Sequence, residues 1–143
     1  MHRFRFRLDS VLGWRRLQVE TEEVKLRRLF EQLRQADLAR ERVQAEKLES
    51  GRAVLHSASP SSAELAAMEA HSRHLTRELA RLAVEKLRCE QRIAEQRGRL
   101  VEAQRAMRLL EKLRDKQLTE WNEAANREQE AAAAELFLGK WNR

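Results

Sequence analysis

The sequence predicts an all-α protein, namely a long antiparallel two-helix coiled-coil hairpin with unequal arms. Three observations predict this fold. Charged residues make up 36% of the chain and aromatic residues 5%, which is typical of long helices and leaves little apolar bulk for a layered core. Apolar residues recur every seven positions through the second half of the chain. A single break around Pro60 separates two helical patterns.

The first predicted helix extends from about residue 9 to residue 55. One row of its residues, spaced seven apart, is apolar: Leu12, Val19, Leu26 and Leu33. A companion row contains Leu8, Leu29, Ala36 and Val43, and charged residues interrupt both rows at Arg15, Glu22, Arg40 and Lys47. Long charged side chains can lie along an apolar seam while their charges reach water, so this seam is weakened but not abolished.

The break HSASPSS, residues 56–62, predicts a turn, and the second helix extends from about residue 62 to residue 138. Either Ser61 or Ser62 can cap this helix, and Glu64 lies where an acidic residue favours the helix dipole. Thirteen of eighteen residues in two seven-residue rows are apolar. The rows are Leu65, Ser72, Leu79, Lys86, Ile93, Leu100, Met107, Arg114 and Trp121, and Met68, Leu75, Leu82, Cys89, Gln96, Ala103, Leu110, Gln117 and Ala124. Burying such a seam requires a partner helix in a left-handed supercoil.

A short turn between two seamed helices predicts antiparallel neighbours in a single coiled-coil domain, residues 1–143. Folding about residue 59 places residue i opposite residue 118 minus i, so Leu12 meets the region of Met107. The helices would be ~70 Å and ~110 Å long at 1.5 Å per residue, so the second outruns the first. Phe4, Phe6 and Leu8 then either cover the second helix near Leu110 to Trp121 or await a partner protein, with the neighbouring Arg residues steering association.

Charge and cysteine usage restrict the class of protein. The net charge is +6, with thirteen basic and seven acidic residues in 71–116 but three basic and five acidic in 117–143. Cys89 is the single cysteine, and neither a secretory signal nor an apolar membrane span is recognised. We therefore expect a cytoplasmic protein. Basic charge leaves a nucleic-acid-associated protein as an alternative, although Arg and Glu alternate and no reading module is present.

No catalytic constellation is found, and neither an enzyme activity nor a cofactor is expected. Gly139-Lys140 lacks the earlier glycine of a phosphate loop. His71 and His74 lie three residues apart with His56 across the turn, but no further ligand completes a closed zinc site. These histidines instead fit a polar edge of the seam or a docking face with Met68, Leu75 and Leu79. The terminal segment ELFLGKW, residues 135–141, is an apolar cluster expected to dock on a partner.

Two segments carry a resemblance to a known family. The opening FRFRLDSVLGWRR resembles the start of the FliJ family of flagellar export proteins, in which a Phe-x-Phe-x-Leu segment precedes a long helix. Here that segment is Phe4, Phe6 and Leu8, followed by Leu12. The stretch LLEKLRDKQLTEWNEAANREQE is similar through Glu111-Lys112-Leu113 and through Glu128 and Gln129. Family members often continue with Leu-Asp-Glu, where this chain has Ala131 to Ala134 and then Glu135.

The resemblance implies a stalk of the flagellar type III export apparatus that couples an export ATPase ring to the export gate and assists delivery of substrates and chaperones. It implies that the paired ends contact a FliI-like ATPase through Phe4, Phe6, Leu8, Leu12, Leu113, Trp121, Glu128 and Gln129. A more loosely matched face for a FlhA-like gate protein contains Met68, His71, Leu75 and Leu79. Through these partners the protein would lie at the inner membrane without spanning it.

Other interpretations remain open at this point. YscO-type stalks of injectisomes share the predicted shape. A generic structural coiled coil that dimerises through the longer helix is a further alternative, because the overhang of that helix needs cover.

Overall fold

A computed structural model describes residues 2–56 and 59–143, and this part of the chain is helical apart from its ends and the segment before the second helix. Helix α1 comprises Asp9–His56, 48 residues, and helix α2 comprises Ser62–Trp141, 80 residues. No strand occurs among the described residues. The all-α prediction is therefore confirmed, and both helices begin at the predicted residues. Of the predicted turn, Ser57 and Ala58 lie outside the described residues.

Local hydrogen bonds define where each helix begins. Before α1, the Asp9 N–H donates to the carbonyl of Phe6 at 3.2 Å, and the Leu12 N–H donates to the carbonyl of Leu8 at 2.9 Å. At α2, the Ser61 hydroxyl accepts the Glu64 N–H at 3.2 Å, while a Glu64 carboxylate oxygen accepts the Ser61 N–H at 3.3 Å. This reciprocal pair is a capping box, so Ser61 rather than Ser62 caps α2.

Contacts divide the chain into two compact units. One contains Met1–Glu22 and Leu100–Arg143, and the other contains Glu23–Arg99. Both helices contribute residues to both units, because α1 passes from the first unit to the second and α2 returns from the second to the first.

In the unit Glu23–Arg99, the core is one row of the predicted seam. Four residues of α2 spaced seven apart are buried, namely Leu75, Leu82, Cys89 and Gln96. Ile93 of α2 and Ala36 of α1 are also buried in this unit. Gln96 is the one buried polar residue identified, and a polar group in an otherwise apolar row can fix the register of paired helices. Cys89 fills the seam as a small apolar side chain, as predicted.

Polar contacts join α1 to α2 in this unit. The Lys86 ammonium lies 3.1 Å from Asp37, His71 Nε2 lies 3.3 Å from Glu46, and Lys47 donates to the Thr76 hydroxyl at 3.0 Å. The Arg97 guanidinium lies 5.4 Å from the centre of the Phe30 ring.

The predicted pairing of residue i with residue 118 minus i is wrong for most of the contacts between α1 and α2 in this unit. Glu46 contacts His71, one position from its expected partner, whereas Lys47 and Asp37 contact residues five positions later than expected. Phe30 contacts a residue nine positions later than expected. Folding about residue 59 assumes that the turn sets the pairing, but two long helices can pack in more than one register.

The unit formed by Met1–Glu22 and Leu100–Arg143 has a small core in which Leu12 is completely buried. Phe6 and Val19 from the N-terminal part and Ala103 from α2 are also buried. Arg16 of α1 lies 3.5 Å from Glu111 of α2. Every residue from 126 to 143 is exposed, so this length of α2 contributes nothing to the core.

Among the described residues, no helix is both long and apolar enough to cross a membrane.

Candidate interaction surfaces

The first candidate surface surrounds the N-terminal segment before α1. The Phe4 ring lies 6.1 Å from the Trp121 ring, centre to centre, with the ring planes tilted at 58°. Phe6 is buried and Leu8 is only partly exposed. The sequence left two alternatives for this segment: packing against the second helix or contact with a partner protein. The structure shows the first, because Phe4 and Phe6 pack within their own chain.

The predicted residues of this surface differ in accessibility. Leu12 and Phe6 are buried and can only support a surface from beneath, whereas Leu8 and Leu113 are about one-third exposed. Trp121 is half-buried against Phe4. Glu128 and Gln129 lie in the exposed stretch of α2 beyond Trp121. The structure therefore brings Phe4 and Trp121 together and leaves the last two residues farther along the helix.

A basic groove is formed at the same segment. Its volume is about 600 Å³, and it is lined by Arg3, Phe4, Arg5, Phe6, Arg7, Asp9 and Arg114. The lining thus contains four arginines and one acidic residue. Sequence reasoning identified the first three as steering charges but missed Arg114, which is distant in sequence and stands in a seam row. The sequence did contain a signal for Arg114, because this arginine stands in a seven-residue row that is otherwise mostly apolar.

The second candidate surface is the predicted gate face in the unit Glu23–Arg99. Leu75 is buried at 3% exposure, Met68 and Leu79 are half-buried, and His71 is exposed and bonded to Glu46. Met68 and Leu75 help line a groove of about 430 Å³ together with Lys47, Ser50, Gly51, Val54, Leu65, Glu69 and Ser72. His71 and Leu79 do not line it. The predicted set is therefore a partly buried strip beside a shallow apolar groove.

A charge cluster follows this strip on α2. Arg81 lies 3.0 Å from Glu78 and 3.3 Å from Glu85. The hydrogen bond from Arg81 lowers the pKa of the Glu78 carboxyl from its ordinary value, and the positive charges of Arg81 and His74 act in the same direction. The same bond raises the pKa of Arg81. These side chains lie on the helix surface, where such pairs contribute little to stability.

Among the histidines near the turn, His71 has an acidic partner. His71 contacts Glu46, while within residues 2–56 and 59–143 no group of three or more His, Cys, Asp or Glu side chains is arranged to hold a metal ion.

The end of α2 presents exposed apolar side chains. Phe137 and Trp141, four residues apart on one helix face, stack at 6.4 Å between ring centres with an angle of 25°. Leu136 and Leu138 are also exposed, and Trp141 reaches 80% exposure. The predicted cluster in residues 135–141 is therefore present as part of a continuous helix.

Comparison with known proteins finds no match: no family model, no curated protein and no solved structure is similar enough to this chain to indicate a family.

Proposed function

We propose that this chain is a stalk-like component of a flagellar type III export apparatus, built as an antiparallel coiled-coil hairpin. In this proposal it contacts a FliI-like export ATPase through the unit that contains its chain ends. It contacts a FlhA-like gate protein through the strip at Met68, His71, Leu75 and Leu79. Its location at the inner membrane follows from these partners, and export chaperones would be delivered along the same route.

The pairing of the helices supports the hairpin. In the unit Glu23–Arg99, the partners of Phe30, Asp37 and Glu46 are Arg97, Lys86 and His71, so residue numbers rise along α1 while they fall along α2. In the other unit, Phe4 and Arg16 are matched with Trp121 and Glu111 in the same order. This order is expected for antiparallel helices. Burial of every seventh residue along α2 is expected for coiled-coil packing.

One observation carries the functional proposal. The two segments that resemble the FliJ family are separated by about a hundred residues of sequence, yet they belong to one unit and contact each other through Phe4 and Trp121. A resemblance by chance in two helical segments does not require them to meet. Their contact favours a shared surface at the paired ends of the helices.

Two paired helices suit a stalk because their backbone hydrogen bonds are satisfied internally and the pair resists bending. A single asymmetric stalk inside a sixfold ring contacts unequal subunits, so it can bias their nucleotide states. In this proposal, the surface at the chain ends binds the ATPase and the surface beside the turn binds the gate protein. The stalk thereby connects the two partners.

The ATPase contact is tested by adding the purified chain to its cognate export ATPase and measuring ATP hydrolysis and complex formation. We expect the natural chain to raise the hydrolysis rate. Leu113→Asp is expected to bind the ATPase more weakly, because Leu113 is partly exposed in the unit that contains the Phe4–Trp121 contact. Val101→Asp is the matched control, since Val101 is also an exposed apolar residue of this unit. No change in the hydrolysis rate and no complex would contradict the proposal.

The gate contact is tested separately by pull-down with the cytoplasmic part of the gate protein. Leu79→Asp is expected to reduce recovery, whereas Val84→Asp, an exposed control in the same unit, is expected to retain it. Equal circular dichroism spectra establish that both variants are folded. Full binding by folded Leu79→Asp would show that the gate face has been assigned to the wrong residues.

A structural coiled coil that dimerises through α2 is the second candidate function. The exposed Leu136, Phe137 and Trp141 favour it, because apolar side chains of this size at one helix end are commonly covered in an assembly. Sedimentation equilibrium distinguishes the two. A mass of 16.8 kDa at micromolar concentration agrees with a hairpin that closes within one chain, and twice that mass favours the dimer.

A further inference from the structure

We infer that the groove lined by Arg3, Arg5, Arg7 and Arg114 binds a carboxylate-rich polypeptide segment of a partner protein. The inference deepens the proposed function and rests on it for the claim that this end of the helix pair docks on a protein. It adds the chemistry by which the partner is recognised.

The four arginine side chains do not stabilise the described part of the chain through polar contacts between side chains. Among the described residues, none of the four forms an ion pair or hydrogen bond with another side chain. Asp9 is the only carboxylate that lines the groove, and it pairs with none of them. Arg114 is half-buried and lines the same groove as the three arginines of the N-terminal segment. Like charges along one groove repel one another, and an anionic ligand would relieve that repulsion.

The spacing of the arginines fits a polypeptide. Burial alternates along the segment: Phe4 and Phe6 face inward, while Arg3, Arg5 and Arg7 are exposed. Residues 2–6 precede the turn at Arg7 and Leu8, and the alternating exposure along them is that of an extended chain, in which side chains on one face, here Arg3 and Arg5, are about 7 Å apart. Acidic residues at alternate positions of an extended partner have the same spacing. Each guanidinium can then donate two parallel hydrogen bonds to one carboxylate.

The aromatic residues argue against a nucleic acid as the occupant. Single-stranded nucleic acids bind with their bases stacked on open aromatic faces. Phe4 and Phe6 both line the groove, but Phe6 is buried and Phe4 is half-buried against Trp121, so little aromatic surface is left on which a base could stack. The groove therefore supplies positive charge without a stacking platform, which favours carboxylates over bases.

The test measures fluorescence anisotropy of a labelled peptide of alternating glutamate and alanine, titrated with the full chain at low and near-physiological salt. The peptide of alternating glutamine and alanine is the neutral control. We expect binding of the acidic peptide only, and a loss of at least about tenfold in affinity for the double variant Arg3→Gln/Arg5→Gln, since charge-assisted hydrogen bonds are among the stronger polar contacts.

The matched control is Arg28→Gln/Arg52→Gln, which removes the same charge from exposed positions of α1. Its affinity is expected to stay within about twofold of the natural chain, because only contacts near the groove contribute specifically. Equal losses in both double variants would overturn the inference, because binding would then depend on net charge. Tighter binding of an oligothymidylate of matched charge, lost in Arg3→Gln/Arg5→Gln, would also overturn it and assign the groove to nucleic acid.

The peptide assay contains no ATPase, so the two proposals fail separately. If the peptide does not bind but the ATPase is still stimulated, only the inference about an acidic partner segment is contradicted. Peptide binding without any effect on the ATPase supports the groove chemistry and contradicts the export function.

Discussion

Leu12 is the side chain most completely removed from water, with an exposed fraction of 0%. It lies one turn into α1, and Phe6, Val19 and Ala103 of the same unit are also buried. A core this small has few alternative contacts. At the residue scale, stability therefore depends on a few apolar side chains, while the many surface ion pairs contribute little.

Replacing Leu12 by alanine is expected to lower the free energy of unfolding by about 2–5 kcal/mol, because a buried leucine leaves a cavity. Urea unfolding followed by circular dichroism measures the loss. Leu17→Ala is the control, because Leu17 is 59% exposed in the same unit, and its cost should stay below about 1 kcal/mol. Equal losses in the two variants would show that Leu12 is not a core residue.

Glu78 provides a prediction about pH. Its pKa is lowered mainly by the hydrogen bond from Arg81, so the bond favours the ionised carboxylate. The resulting stabilisation is present above the ordinary carboxyl pKa and is lost as the pH falls through the lowered value. Carbon NMR titration should find a midpoint below that of ordinary glutamates, and Arg81→Gln should raise it. Arg77→Gln, which removes a charge without this bond, should leave the midpoint nearly unchanged.

At the scale of helices, α2 is long and contains a glycine in its interior, which normally weakens a helix. A Cβ added at Gly98 meets no atom within 4 Å. No close approach of another backbone therefore requires glycine at this position. The capping box at Ser61 and Glu64 offsets part of the cost of ending a helix in water.

Gly98→Ala is expected to raise the free energy of unfolding by about 0.5–1 kcal/mol, because alanine restricts the unfolded chain and fits the helix without a clash. Thermal unfolding followed by circular dichroism measures the gain. Gly139→Ala is the control, since a Cβ there also meets open space but lies near the exposed end of α2. A decrease in stability for Gly98→Ala would indicate a contact at this position that only a partner molecule supplies.

At the scale of the whole molecule, the chain does not form a single compact unit. Contacts divide it into two units, and one of them is assembled from segments at opposite ends of the sequence. Residues 126–143 belong to that unit but are exposed throughout. Folding of one isolated chain therefore does not depend on the side chains at the end of α2.

The double variant Phe137→Ala/Trp141→Ala is accordingly expected to change the free energy of unfolding by less than about 0.5 kcal/mol, as exposed substitutions do. Chemical unfolding at several protein concentrations measures the change. A larger loss that grows with concentration would mean that another copy covers these rings, and it would favour the dimeric coiled coil over the stalk.

Composition and the seven-residue pattern by themselves determined the helical class and the buried row at Leu75, Leu82 and Cys89, because helical periodicity is a local property. The break at Pro60 and the serines after it determined where α2 begins. Only the tertiary structure decided which residues of α1 meet which residues of α2, as the displaced partners of Phe30 and Asp37 show. It also decided that Phe6 is covered and that Arg114 joins three arginines from the other end of the chain. Such meetings depend on how two long helices pack over their length, and a turn of a few residues does not encode that register.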